Sequence, residues 1–535
     1  MPDPLADGAI ARAARAAWRA HLGRDADDEL LRELGSGSLA AAFHATAGAR
    51  GDAPALAIDG ARATHGELDD RAARVAGWLR TRGVEPGDRV LLCAPNSLAL
   101  VVAYLATLRV GATALPVGAT LTEPELAGIA ATAEPVAVFA GGAALPALRR
   151  LAADARPVVA LDDDSGPSLA EAEATGAAIE PADVRGSATA LLAFTSGTTG
   201  RPKGVPLSHA NLLSSIRSAM LAWRWTADDV LVHALPLSHQ HGLGGVHATL
   251  LAGSSAAIHA AFDAARLAGA VAAERATVLF AVPAIYQRLV GTEGIGGSAF
   301  ASLRLAISGS APLSPTLFER AGELLGREPL ERYGTTESGL DTSNPYEGDR
   351  RPGSVGLPLP GVSMAIANAD GMPLEPGSDG EIVFHGPQVF AGYTDDAETA
   401  AAFHPGGWFR TGDIGRVDPG HGSLAITGRS KEVIITGGLN VNPREVELAL
   451  ETNAGVSAAA VVGVASERWG EEVVAFVVSE SGRAPNDADL IAHARTRLAA
   501  YKCPKRVILI GELPMNAIGK LDRDRLRELA LGGGS

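Results

Sequence analysis

Between residues 50 and 430, short runs rich in Val, Ile, Leu and Ala alternate with amphipathic segments, as at Arg89-Val90-Leu91-Leu92 and Thr277-Val278-Leu279-Phe280. Runs that are apolar on both faces need cover on both sides, so parallel strands with crossover helices are expected. The fold class that follows is α/β. A chain of 535 residues exceeds what one core organises, which calls for a second domain. Polar and Gly-rich residues cluster at Asp418-Pro419-Gly420-His421-Gly422, and beyond them come strand runs at Ala459 to Gly463 and Val473 to Val478 and a helix over 487–500. The expectation is a large N-terminal domain of α/β subdomains over 1–428 and a small α+β domain over 429–535. Ala-rich residues 124–154 read as packed helices, 6–22 as an amphipathic helix, and the closing Gly-Gly-Gly-Ser as a tail.

A formal charge of -15 without a basic stripe argues against a nucleic-acid binder. Cys93 and Cys503 are too few for a disulfide framework and wrongly spaced for zinc, which points to a reducing, cytoplasmic compartment. Apolar stretches such as Val101 to Val117 are broken by Arg109 and glycine, so no membrane span is expected. Early acidic residues, from Asp3 to Glu29, rule against a transit peptide.

Thr195-Ser196-Gly197-Thr198-Thr199-Gly200-Arg201-Pro202-Lys203-Gly204 gathers three glycines, four hydroxyls and two cations. Glycines let backbone N–H groups curl around an anion, and the hydroxyls and Lys203 add donors to phosphate oxygens. Lys203 is followed by Gly204 rather than Ser or Thr, so this is not a Walker loop. It lies between the apolar run Leu191 to Phe194 and a helical pattern, and it implies nucleotide chemistry.

That loop resembles the signature of the adenylate-forming superfamily of acyl- and aryl-CoA synthetases, peptide-synthetase adenylation domains and luciferases. Further matches follow in family order at Leu235 to Leu243, Ser308 to Pro312, Glu331 to Glu337, Trp408 to Asp413, Gly428 to Glu432 and Asn516 to Lys520. The resemblance covers about residue 40 to about residue 525. It implies an AMP-forming acyl-CoA ligase using ATP, Mg²⁺ and CoA, with Lys431 at the hinge about which the small domain rotates.

Activation of a carboxylic acid places growing negative charge on the α-phosphate, which fixed cations and donors must meet. Glu337 suits Mg²⁺, a hard cation that takes carboxylate and phosphate oxygens. Tyr333 offers an aromatic face for adenine, and Thr336 adds a hydroxyl near the α-phosphate. By resemblance Gly309, Ser310, Ala311 and Pro312 line the adenine and acyl sites, and Glu331, Arg332, Gly334 and Thr335 join the nucleotide set. Asp413 can accept from both ribose hydroxyls, Arg429 supports it by resemblance, and Lys520 would bridge carboxylate and α-phosphate. For the thiol step, Gly437, Gly438 and Leu439 match the segment lining the pantetheine channel. Lys502, Lys505 and Arg506 are either contacts for CoA phosphates or a solvated charged face.

His239 matches the family's acyl-gating histidine, with His241 beside it; their spacing, with His233 and His247, fits no zinc pattern. Gly242, Gly244, Gly245, Ala281, Ala284 and Gly309 are read as one wall of the acyl pocket. Locally the wording is most similar to malonyl-CoA synthetases, at Thr342 to Arg350 and Glu331 to Gly334. Those enzymes carry an Arg beyond the His-Gly-Leu motif, where this chain reads Leu250-Leu251-Ala252-Gly253-Ser254. A buried second carboxylate would lack a partner there, so a bulky or aliphatic monocarboxylic acid, of the kind met in secondary metabolism, is expected over malonate. Loading of an acyl carrier protein, or only one half-reaction, remain alternatives.

Overall fold

The computed structural model describes residues 9–23, 28–152, 157–163, 166–196, 202–429, 432–436, 439–466, 469–480, 485–515 and 521–532. It is a mixed α/β protein with a large N-terminal and a smaller C-terminal domain. Strand Arg89–Cys93 pairs in parallel with Thr113–Pro116 and with Ala137–Ala140, so its apolar run is covered on both faces. Helices make the crossovers. Leu98–Arg109 starts where the Ser97 hydroxyl accepts from Leu100 N–H, and Glu123–Ala133 starts where Glu125 reaches back to the Thr122 N–H. This six-stranded sheet ends in an antiparallel hairpin of Thr189–Ser196 with Pro202–Ser208.

A 14-stranded sheet holds the rest of the large domain. Its parallel strands Val230–His233, Val278–Ala281, Leu305–Ser308 and Leu330–Tyr333 continue into an antiparallel part that includes Ser354–Pro358, Gly380–His385, Trp408–Val417 and Leu424–Arg429. Uniform parallel pairing, the sequence expectation, fails there because tight turns replace helices. The Asp418–Gly422 cluster is one such turn, with the Asp418 carboxylate accepting from the Gly420 and His421 N–H groups.

Between Arg429 and Ile434 the chain passes from that sheet to a five-stranded one. Lys431 lies outside the described residues. Ile434, Val446, Leu450, Val461, Ala475 and Leu490 belong to the small domain's core. At the junction Asn442 caps helix Pro443–Glu451 and packs against Gly428, where a Cβ would lie 2.0 Å from Asn442 Oδ1. The N-terminal helix Ala9–Leu22 buries Ile10, Ala14 and Trp18 along one stripe. Residues 124–154 hold two helices with strand Ala137–Ala140 between them, and the helix expected over 487–500 ends at Arg495. Among the described residues no helix is long and apolar enough to cross a membrane.

Candidate active site

Strand Leu330–Tyr333 sends alternate side chains to opposite faces. On one face the Tyr333 hydroxyl donates to Asp413 Oδ2 at 2.5 Å. Asp413 stands directly across an antiparallel pair from Arg429, whose Nε lies 2.9 Å from Oδ1. Burial, reinforced by Asp413, pushes the Tyr333 phenol well above its ordinary range, so it remains a donor. Its ring is buried and tilted against Phe384 at 6.0 Å, which makes Tyr333 the support of the carboxylate assigned to ribose. Glu331 turns to Gly353, whose N–H it accepts at 2.9 Å, and burial pushes it up to about 7.

The next residues form a tight turn. A Cβ on Gly334 would lie 1.8 Å from the Gly339 carbonyl, and the turn closes by Gly339 N–H donating to Thr335 O at 2.8 Å. Thr335 Oγ1 sits 2.8 Å from Ser338 Oγ, and the Thr336 carbonyl accepts from Gln240 Nε2 at 2.6 Å. Glu337 Oε1 accepts from the Tyr393 hydroxyl at 2.9 Å. Tyr393 also lies beneath Lys203, with Nζ 5.2 Å from its ring centroid, and Lys203 pairs with Glu398 at 2.8 Å. The phosphate-loop lysine and the proposed metal carboxylate are thereby linked through one tyrosine. Tyr393 and Glu398 escaped the sequence reading; a Gly-Tyr pair ahead of an acidic helix start was the available signal.

Thr195 faces Lys203 in the hairpin register, and Ser196 ends its strand. Gly197, Thr198, Thr199 and Gly200 lie outside the described residues. A strand follows them rather than a helix; helix His209–Ala222 begins only after Ser208.

On the opposite face of Leu330–Tyr333, Arg332 lines a cavity with His241, Gly244, Trp223 and Phe280. Helix Gln240–Ala252 presents Gln240, His241, Leu243, Gly244 and His247 to that cavity. His241 Nδ1 lies 3.2 Å from Ser310 Oγ, and burial together with Arg332 pushes its imidazole well below the ordinary range. Ser310 holds a left-handed φ of 69° just after strand Leu305–Ser308, a strained position that directs the chain at the cleft. Ala311 and Pro312 are exposed beside it, and Gly309 is buried. His239 is the exposed N-cap residue of the helix.

The three glycines read as one wall separate. A Cβ on Gly244 would meet only Ile216 Cδ1, at 3.9 Å, whereas one on Gly242 would lie 2.4 Å from the Pro236 carbonyl and one on Gly245 2.8 Å from Leu231. Gly242 and Gly245 serve close packing. Ala281 is buried at its strand end and Ala284 is exposed in the first turn of Pro283–Gly291. Gly253 forms the left-handed C-cap of the helix, against Arg50. Ala252 and Gly253 thus lie at the end of the helix away from the cavity, and Arg332 lines it.

In the small domain Leu439 is 49% exposed. Lys502 pairs with Glu445 at 2.6 Å, Lys505 lies 5.6 Å from the Trp469 ring centroid, and Arg506 lies 2.8 Å from Glu472. All three basic residues thus have small-domain partners. Gly437, Gly438 and Lys520 lie outside the described residues. Among the described residues no group of three or more His, Cys, Asp or Glu could hold a metal ion; Glu337 alone fits the sequence expectation that phosphate oxygens complete the Mg²⁺ shell.

The polar group around Asp413 and the cavity around Arg332 lie on the two faces of strand Leu330–Tyr333, and Gln240, which lines the cavity, donates to the Thr336 carbonyl in the turn that follows that strand. The AMP-binding enzyme model matches residues 43–394, and the AMP-binding enzyme C-terminal domain model matches 445–520. The chain belongs to the AMP-binding enzyme family. It is 36% identical over 498 residues to a feruloyl-CoA synthase of Amycolatopsis sp, covering 89% of this chain and 95% of the relative. With an oxalate–CoA ligase of Arabidopsis thaliana it shares 36% over 487 residues, covering 88% and 94%. The crystal structure of ATP-bound MatB from Rhodopseudomonas palustris superposes with a TM-score of 0.87 at 38% identity, covering 93% of this chain and 100% of that one. This chain is an AMP-forming acid–thiol ligase, an acyl-CoA synthetase that uses ATP, Mg²⁺ and CoA. Equal identity to ligases named for ferulate and for oxalate leaves the acid to be argued from the site.

Proposed function

We propose that two half-reactions run from this one cleft, with the small domain, residues 429–535, turning about Lys431 between them. In the first, an oxygen of the acid attacks the α-phosphorus of ATP and pyrophosphate leaves. Thr195, Lys203 and the hairpin tip take the triphosphate, Asp413 the ribose, and Lys520 the forming bond between carboxylate and phosphate. Glu337 holds Mg²⁺, which supplies positive charge to the phosphate oxygens. In the second, the CoA sulfur attacks the acyl carbon and AMP leaves, along a channel bordered by Gly437, Gly438 and Leu439. The observation that supports this reading is the meeting of Tyr333 with Asp413 and Arg429 of a distant hairpin, beside the turn that carries Glu337.

Arg429 occupies one oxygen of Asp413, so ribose hydroxyls must share or displace it. The apolar cavity wall of Leu212, Ile216, Trp223, Leu243 and Phe280 favours an acid with a bulky or aliphatic body. Both cysteines are buried free thiols, which suits a reducing, cytoplasmic setting.

The test measures AMP formation over a panel of acids with and without CoA, then separates the half-reactions by variant. Lys520→Ala should abolish acid-dependent pyrophosphate exchange while thioester formation from supplied acyl-adenylate survives. Gly438→Leu should do the reverse. Equal loss of both activities in both variants would refute the two-pose mechanism.

A further inference from the structure

Helix His209–Ala222 is occupied on two opposite faces. Leu212, Ser215 and Ile216, with the C-cap residue Trp223, line the cavity proposed for the acid. Ser215 Oγ also accepts from the Leu340 N–H at 2.8 Å, which ties the helix to another lining residue. At about 100° per residue, the row Ala210, Ser214 and Arg217 falls roughly half a turn away from Leu212, Ile216 and Trp223.

That second row meets the N-terminal segment. Arg217 Nη1 donates to the carbonyls of Glu33, Leu34 and Ser36, each at 3.0 Å. Glu33 and Leu34 close helix Asp28–Leu34, and the last carbonyls of a helix need partners from outside it. Gly35, next in the chain, runs so close that a Cβ on it would lie 2.7 Å from Ser214 Oγ and 3.6 Å from the Ala210 carbonyl. Leu39 N–H then donates to Nδ1 of His209, the first residue of the same helix, at 3.2 Å. The other end of the segment is anchored through helix Ala9–Leu22. Trp18 Nε1 donates to the Pro358 carbonyl at 2.6 Å, and two residues on the Pro360 carbonyl accepts from Ser218 Oγ at 2.7 Å.

We propose that Arg217 is a positioning residue for acid selection: by fastening the N-terminal segment across the back of helix His209–Ala222, it fixes how far Leu212 and Ile216 project into the cavity. Close-packed interiors transmit displacement, so loosening the back of the helix widens the space at its front. The bulk of the acid admitted is then set partly by a segment that never touches it. This rests on the reading of the cavity as the acid site of the ligase.

The test compares kcat/KM for AMP formation, with CoA present, over monocarboxylic acids of increasing bulk, and KM for ATP at saturating acid. Arg217→Leu, assayed below its melting temperature, should raise the ratio of the bulkiest to the smallest acid on the order of tenfold, the scale for about one methylene of pocket space. KM for ATP should not change. Arg217→Lys, which keeps a donor on a long stem, should fall between. A disulfide supplies the reverse test and serves if Arg217→Leu folds poorly: Gly35→Cys with Ser214→Cys places the two side chains within bonding reach. Added to Arg217→Leu, the oxidised form should restore the wild-type acid ratio, and reduction should release it again. Gly244→Ala, on another wall of the same cavity, separates the two readings. If it shifts the acid ratio while Arg217→Leu leaves it unchanged or lowers all acids equally, the positioning role is overturned and the acid site stands. A disulfide that restores the melting temperature but not the ratio has the same meaning. If neither variant shifts the ratio, the cavity is not the acid site and the inference falls with it.

Discussion

The two sides of strand Leu330–Tyr333 are built on opposite plans. On the side proposed for the nucleotide, three described charged groups have protein partners: Asp413 has Tyr333 and Arg429, Glu337 has Tyr393, and Lys203 has Glu398. On the acyl side Arg332 Nε and His241 Nε2 are buried without one. Partners that a ligand can replace hold charges in position at little cost while the site waits, which is preorganisation. On the acyl side, by contrast, hydrogen-bonding capacity is left that the surrounding side chains do not meet. The same triphosphate is bound every turnover, whereas the acid is the variable that a specificity site must test.

The steepest test of the contrast is Glu337→Ala. If the nucleotide side works through fixed charges, this change should cost about 10²-fold or more in pyrophosphate exchange and little in the choice between acids. Near wild-type exchange would remove Glu337 from the metal site, and an altered acid preference would blur the division between the two faces.

A second test uses glycines on the acyl helix. Gly242→Ala drives a methyl towards the Pro236 carbonyl, 2.4 Å from an ideal Cβ, and overpacking of this kind costs about 1–3 kcal/mol. Gly244→Ala meets only Ile216 Cδ1 at 3.9 Å and should fold normally while narrowing the cavity for the bulkiest acids. Urea midpoints for the two variants, with acid profiles for Gly244→Ala, check this. Equal destabilisation would mean that Gly244 is a packing residue too.

How much of this was legible follows from how local each requirement is. The residues proposed for the nucleotide sit in short segments whose spacing is set by backbone geometry, so Lys203, Glu337 and Asp413 can be proposed one motif at a time. Their partners Tyr393 and Glu398 come from a segment whose relation to the hairpin exists only in the folded chain. The acyl wall is harder still. Gly242, Gly244 and Gly245 look alike in sequence and differ only in what stands opposite each one. Arg332 lies inside a nucleotide motif, yet the two-residue period of its strand turns it to the other side. Parallel pairing was read correctly where helices intervene and missed where turns take over, at Pro54–Thr64, at Thr189–Ser208 and after Tyr333.

Two sets of buried groups should also titrate in opposite senses. Burial depresses His209 to about 4 and His233 and His247 to about 3. Unfolded, they would bind protons near their ordinary value of 6.5, so the unfolded state holds more protons and their contribution is lost on acidification through that window. Glu331 and Asp341, each pushed up to about 7 by burial, do the reverse. Their folded forms keep protons that the unfolded chain releases, so their contribution falls as pH rises from about 4 to about 7. Three histidines outweigh two carboxyls, so stability should rise between about pH 4 and 6.5 and level off towards 7. Urea midpoints across that range check the sign. A midpoint falling from pH 5 to 6.5 would mean that the carboxyls dominate and that the histidines are not buried neutral.

The smallest expected effect concerns the Lys203–Glu398 pair. Lys203 can meet a phosphate only by loosening its hold on Glu398, unless the pair is kept and serves to aim the lysine. Both side chains are part exposed, at 21% and 28%, so solvent screening limits the pair to about 1 kcal/mol or less. Glu398→Gln removes the charge and keeps the shape. If Glu398 is a stand-in for phosphate, the variant should show a KM for ATP lower by about two- to fivefold, with kcat little changed. The Tyr393 contact would still position the lysine. If Glu398 instead aims Lys203 in the loaded site, KM for ATP should rise and kcat should fall. That outcome would replace the idea of exchangeable partners on the nucleotide side with one of permanent scaffolding, and the contrast with Arg332 would then rest on the acyl side alone.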